Sequence, residues 1–225
     1  MNLDQLRERW ADPLLTALTA LLVVMMFVVA PLQARGIFAF QVFELVLALF
    51  LVGGVFFMSG SRTVVVAMLV ALAMIITGAV LRLRSPSVLD LNLFAGSWLI
   101  MGATMGWVVA RATFAPGRIT YHRVIGAVLL YLTVAIIFAS LYTFVGTLTP
   151  KAFSGMIVED SPALASRLIY FSFATMTTTG YGDVAPVDPI ARSLCNLEAI
   201  FGQLYPATLL ARLVTLELAH REKDS

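Results

Sequence analysis

The sequence predicts an all-α membrane protein: six transmembrane helices and one short re-entrant helix followed by a non-helical polar strand. Three observations predict it. Of 225 residues, 60% are hydrophobic and only 12% charged, and the mean hydropathy is +0.93, outside the range of water-soluble domains. Apolar runs long enough to cross a hydrocarbon core of ~30 Å recur along the chain. One further apolar run, Leu164 to Met176, is too short to cross and ends in the glycine-broken run TTTGYGD, Thr177 to Asp183.

In chain order, a cytoplasmic tail, 1–13, precedes the first span, Leu14 to Leu32. Arg7, Arg9 and the small residues Ala30 and Ala34 resemble a signal peptide, but the apolar run is too long for a usual h-region, so it is read as a retained span. The next spans are Val42 to Met58, with Glu44 at its interfacial end, Val64 to Leu81 and Leu91 to Val109. These four, 14–110, form one predicted unit. A linker, 111–123, leads to a second unit, 124–216. That unit contains an outer helix, Val124 to Leu148, a short helix within 162–177, the polar strand 178–182 and an inner helix, Ile190 to Val214, continuing to 216. Residues 217–225 form a short cytoplasmic tail, the helix running a turn or two on before fraying. No connection is long enough for a soluble domain, and no internal repeat is found.

Several function classes drop out. The lone Cys195 gives no disulfide within one chain, and no Cys/His cluster suggests a metal site or redox cofactor. A net charge of +2 spread over short loops offers nucleic acid no basic patch. Membrane lipids are the partners left by composition. With both termini cytoplasmic, Arg7, Arg9, Arg62, Arg111, Arg118, Arg123, Arg212, Arg221 and Lys223 lie inside, against Arg35, Arg82, Arg84, Lys151, Arg167 and Arg192 outside. The positive-inside bias favours this orientation in a cell membrane, with Arg82 and Arg84 as its main exceptions.

The polar run then enters the membrane from outside, where non-helical backbone must be buried in protein or line a watery path. Gly180 and Gly182 carry no Cβ, so the backbone there can alternate between otherwise strained dihedrals and turn successive carbonyls toward one axis. Such carbonyls can replace a cation's hydration shell. Thr178 adds a hydroxyl, and Tyr181 has the bulk to hold the strand's diameter.

TTTGYGD resembles the selectivity-filter signature of potassium channels, with Thr179 where that family most often has Val. The order outer helix, turret, short pore helix, filter, inner helix resembles the family over residues 124–216, whereas 1–110 share only the four-helix plan of six-transmembrane channels. The resemblance implies a potassium channel that conducts K+ passively, with no enzymatic activity and no cofactor beyond the permeant ion. It implies that Thr178, Thr179, Gly180, Tyr181 and Gly182 form the ion cage, with K+ at Thr178, Thr179, Gly180 and Tyr181, and that Thr177 and Asp183 flank it. Gly202 falls where the family's inner helix has its hinge glycine, and Pro206 adds a second break. The hinge reading is favoured for both, with a packing role as the alternative. One filter per chain implies a homotetramer.

Departures from the family also stand out. The pore-helix position whose aromatic N–H commonly reaches the aspartate after the filter is read as Phe171, which cannot donate, with Tyr170 beside it as a substitute. Ala174 stands where a glutamate is common. Glu198, an ionisable residue in mid-span, is a functional candidate. It is expected to bond Thr175 or Thr177 behind the filter, to face the cavity, or to pair with a neighbouring subunit. The fourth span has no Lys or Arg before Arg111, so it lacks gating charges and steep voltage gating is not expected. Only 215–225 follow the inner helix here, too few residues for a ligand-binding domain.

Two other readings remain: a weakly selective cation channel or non-conducting subunit, and an intramembrane aspartyl protease using GYGD. The protease needs a helix-borne carboxylate pair, which the prolines after Asp183 disfavour.

Overall fold

A computed structural model describes residues 3–37, 49–50, 53–54, 61–85, 87–113 and 121–224. Helix α1, Leu3–Val24, passes through a π turn, Met25–Val29, into α2, Ala30–Ala34. The third helix, α3, is Arg62–Arg84, α4 is Val88–Thr113 and α5 is Tyr121–Leu148. A two-residue strand, β1 (Phe153–Ser154), precedes α6, Leu164–Met176, and a second, β2 (Ala185–Pro186), precedes α7, Pro189–Asp224. The predicted second span lies outside the described residues except at 49–50 and 53–54, which are helical.

Four described helices are long and apolar enough to cross a membrane: Pro13–Ala34, Arg62–Arg84, Val88–Arg111 and Val124–Leu148. The 36 residues of α7 also suffice in length, but Asn196, Glu198, Gln203 and Pro206 make it more polar. It extends to Asp224, continuing beyond 216 through the further turn or two of helix expected in the tail. Local chemistry sets several boundaries. Asp188 accepts the N–H groups of Ile190 (2.8 Å) and Ala191 (3.3 Å) ahead of Pro189 in the first turn of α7. At the start of α4, Asp90 accepts the N–H (2.6 Å) and hydroxyl (2.7 Å) of Ser87 in a capping-box spacing.

The helices pack as α1 on α5, α3 on α4, and α4 along α5. Small residues allow that last approach: a Cβ on Gly102 would meet Ile137, and one on Gly106 would touch Leu130 and Thr133. One apolar core runs from Leu15, Leu18 and Leu22 through Met68, Met101 and Val109 to Leu129, Met176 and Tyr205. Apolar side chains on the opposite faces stay exposed, among them Val66, Leu69 and Ile76 of α3, as lipid-facing surfaces do.

Arg82 closes the far end of α3 onto the loop before α6, pairing with Asp160 at 2.5 Å. This exception to the charge asymmetry thus has a counter-ion on its own side.

Candidate functional site

The short helix α6 buries Leu164, Leu168, Phe171, Ser172 and Met176 against α5 and α7, and its last turn supplies the moorings of the TTTGYGD run. Thr177 N–H reaches Phe173 O (2.9 Å), Thr178 N–H reaches Thr175 O (2.9 Å) and Gly180 N–H reaches Ala174 O (3.1 Å). Carbonyls that a helix end leaves unused therefore hold the following strand.

Thr178, Gly180 and Gly182 all have positive φ, at 57°, 58° and 81°. A change of handedness at every second residue is the backbone pattern that turns successive carbonyls toward one side. Glycine adopts it freely, whereas the β-branched Thr178 does so under strain. Its hydroxyl donates to Thr177 O at 2.7 Å and accepts from Gln203 Nε2 at 3.1 Å, which helps to hold it there. Thr177 and Thr179 share a hydroxyl contact at 2.7 Å. All of Thr177 to Asp183 is exposed in the single chain.

The brace on Asp183 comes from Tyr170, whose hydroxyl donates to Asp183 Oδ1 at 3.0 Å. Tyr170 also stacks on Tyr181, with centroids 5.8 Å apart and planes 11° from parallel. Phe171 therefore does not occupy the position facing Asp183. One residue further round the helix, it is buried edge-on against Tyr142 and Phe153, at 4.9 and 5.4 Å between centroids. Beyond the run, β2 pairs antiparallel with β1, Phe153 opposite Pro186 and Ser154 opposite Ala185. The chain stays extended there, so the aspartate of GYGD lies outside any helix.

Glu198 is fully buried and reaches neither Thr175 nor Thr177. Its Oε2 accepts from Tyr142 of α5 and its Oε1 from Ser172 of α6, each at 2.5 Å. Ser172 Oγ also lies 2.9 Å from Ala135 O. One carboxyl group thus joins α5, α6 and α7 behind the run. Neither partner stood out in the sequence, because they lie 56 and 26 positions away on other elements. Gln203 and Tyr205, whose hydroxyl donates to Ala127 O at 2.9 Å, escaped notice for the same reason.

Gly202 is buried where α7 crosses the end of α6, and a Cβ there would strike the Met176 carbonyl. The helix runs unbroken through Gly202 and Pro206. Proline supplies no N–H, so the Gly202 carbonyl receives no bond from position 206. Among the described residues no His/Cys/Asp/Glu group could hold a metal ion.

An outer helix, a short helix with a moored strand of alternating handedness, and a long inner helix are the parts of an ion-channel pore, a device for conduction rather than catalysis. Residues 126–217 match the family described as Ion channel. A stretch of 51 residues is 39% identical to the inward rectifier potassium channel Kirbac3.1 of Paramagnetospirillum magnetotacticum, covering 22% of this chain and 17% of that protein. A stretch of 89 residues is 32% identical to Protein LctB of Bacillus caldotenax, covering 37% of this chain and 64% of that one. The chain thus spans less than two thirds of either relative. No solved structure matches it significantly.

Proposed function

We propose that the protein is a potassium-selective channel that passes K+ passively through a ring of four identical chains. The observation that carries this reading is the alternation of positive φ at Thr178, Gly180 and Gly182, in a run exposed along its length in the single chain. Irregular backbone at membrane depth cannot face lipid. A ring of chains around one axis removes that exposure and puts carbonyls on every side of an ion. Thr178, Thr179, Gly180, Tyr181 and Gly182 then form the cage, Asp183 its outer mouth, and Gln203 the polar level beneath it.

Each chain contributes six spans in this reading: the four apolar helices, the span at 42–58, and α7. It sits in the cell membrane with both termini cytoplasmic. The fourth span, α4, carries no Lys or Arg between Leu91 and Ala110, so voltage does little work on it. The test is flux from proteoliposomes of the purified protein, comparing potassium with sodium. Selective potassium efflux is expected, and equal permeability to both ions would overturn the reading.

A further inference from the structure

A cavity of about 130 Å³ lies between the N-terminal helix, α4, α5 and α6, away from the TTTGYGD run. Gln33, Arg82, Asp160 and Ser161 line it where α2 and α3 end and α6 is about to begin, and Ser140 and Thr143 add hydroxyls from α5. Deeper, it is walled by Leu22, Met26, Phe94, Trp98, Ile136 and Leu168. We propose that this cavity is a binding site for a small uncharged amphiphile, with an apolar body about the size of benzene and one hydroxyl or carbonyl oxygen held by Gln33.

Size sets the body, since an apolar cavity of ~150 Å³ accommodates benzene. The head is set by an orphan donor: Gln33 is only 3% exposed and its Nε2 has no hydrogen-bond partner. A buried amide left unpaired is costly, and an oxygen acceptor at that end relieves it. Charge is disfavoured by the ion pair at the same end, because Arg82 and Asp160 neutralise each other at 2.5 Å with their side chains 16% and 24% exposed. The Ser140 and Thr143 hydroxyls donate to Ile136 O (2.9 Å) and Ala139 O (3.0 Å), so toward a ligand they can only accept. A ligand hydroxyl can accept from Gln33 and donate to one of them. The π turn lines the space through Met25 and Met26, a widened turn of the kind frequent at functional positions, carrying adaptable side chains.

Two sources share this chemistry: a free short-chain alcohol dissolved in the membrane, and the carbonyl end of a lipid chain. The proposal is independent of ion selectivity and can be tested without measuring flux. Trp98 becomes the sole tryptophan reporter once Trp10 and Trp107 are replaced by Phe. Full-length protein in detergent micelles is titrated with bromohexanol, whose bromine quenches nearby indole fluorescence. Saturable quenching, displaced by benzyl alcohol, is expected. Gln33→Met keeps the bulk and removes the donor; it should weaken bromohexanol about five- to tenfold while leaving bromohexane unchanged. A merely structural role for Gln33 would shift both probes alike and overturn the proposal. Ala95→Leu fills the space and should abolish saturable quenching by both. Vesicles of phosphatidylcholine brominated near the carbonyl end of one chain separate the sources. Quenching by that lipid, with bromohexanol then inert, assigns a lipid chain, and quenching by bromohexanol alone assigns a free small molecule. Quenching that rises linearly for both probes in the unmodified protein, with none from the lipid, overturns the site.

Discussion

Tyr170 donates its phenolic proton to Asp183 while its ring lies flat on Tyr181, so one side chain of α6 grips both the residue between the two glycines and the aspartate beyond them. Tyr170→Phe keeps the stacking and deletes the hydrogen bond. Potassium currents in this variant are expected to decay faster and to depend more strongly on external potassium, as a time course of single-channel activity would reveal. Phe171→Trp should not brace Asp183. Its larger ring would instead overfill the cluster with Tyr142 and Phe153, costing about 1–3 kcal/mol of stability, read as a lower melting temperature of the detergent-solubilised protein.

Gly180 and Gly182 sit at φ 58° and 81° with nothing near the position of an added Cβ. Strain alone therefore governs Gly180→Ala and Gly182→Ala, at about 1–3 kcal/mol each. Assembly should survive and selective conduction should not. Unchanged potassium-over-sodium selectivity in both variants would mean that this run is not the filter.

For Glu198, hydrogen-bond capacity matters more than charge. In Glu198→Gln the amide oxygen can accept from Tyr142, and the amide NH₂ can donate to Ser172 while Ser172 donates to Ala135 O. Glu198→Leu leaves the buried Tyr142 hydroxyl only the weakly bonding Cys195 sulfur as a partner, at a cost of about 1–3 kcal/mol. Thermal unfolding should therefore place the Gln variant near the parent and the Leu variant clearly below it; equal losses would show that the charge itself is required.

Gly202→Ala and Pro206→Ala separate packing from hinging. A methyl group at 202 meets the Met176 carbonyl, so that variant is expected to lose thermal stability and push α7 away from α6. At position 206, alanine restores an N–H that can reach the Gly202 carbonyl and stiffens the helix. If α7 is the gate, Pro206→Ala shifts the open fraction; an unaltered open fraction in single-channel records assigns gating elsewhere.

Voltage should hardly matter. Each elementary charge carried across the membrane is worth ~2.3 kcal/mol per 100 mV, and α4 offers none between Leu91 and Ala110. Bilayer recordings between about −100 and +100 mV should give a nearly flat open fraction, and a steep conductance–voltage curve would contradict this.

Local features of this pore region were legible because they follow from short-range rules. A mostly apolar stretch of thirteen residues ending in a glycine-broken run reads as a short helix followed by a strand, and α6 spans Leu164–Met176. Tertiary register was not legible. Whether position 170 or 171 faces Asp183 depends on how α6 is rotated against α5, a rotation fixed by Phe171 meeting Tyr142 and Phe153. The partners of Glu198 were hidden likewise, since Tyr142 and Ser172 are polar residues on predominantly apolar helices until packing joins them. The π turn at Met25–Val29 left no trace in hydropathy, which is blind to one extra residue per turn.

The pairing of Phe153 with Pro186 has a consequence in polymer terms. It cinches the intervening chain into a loop whose ends are fixed by β1 and β2, with Ser154 and Ala185 31 positions apart. Closing a flexible loop costs only ~0.6 kcal/mol more for each doubling of its length. Extra residues near Ile157 would therefore be thermodynamically cheap and would leave the strand register unaltered. The segment between β1 and α6 can thus vary in length while the β1–β2 pairing beyond TTTGYGD stays as it is, which makes that segment a separately adjustable part of the molecule.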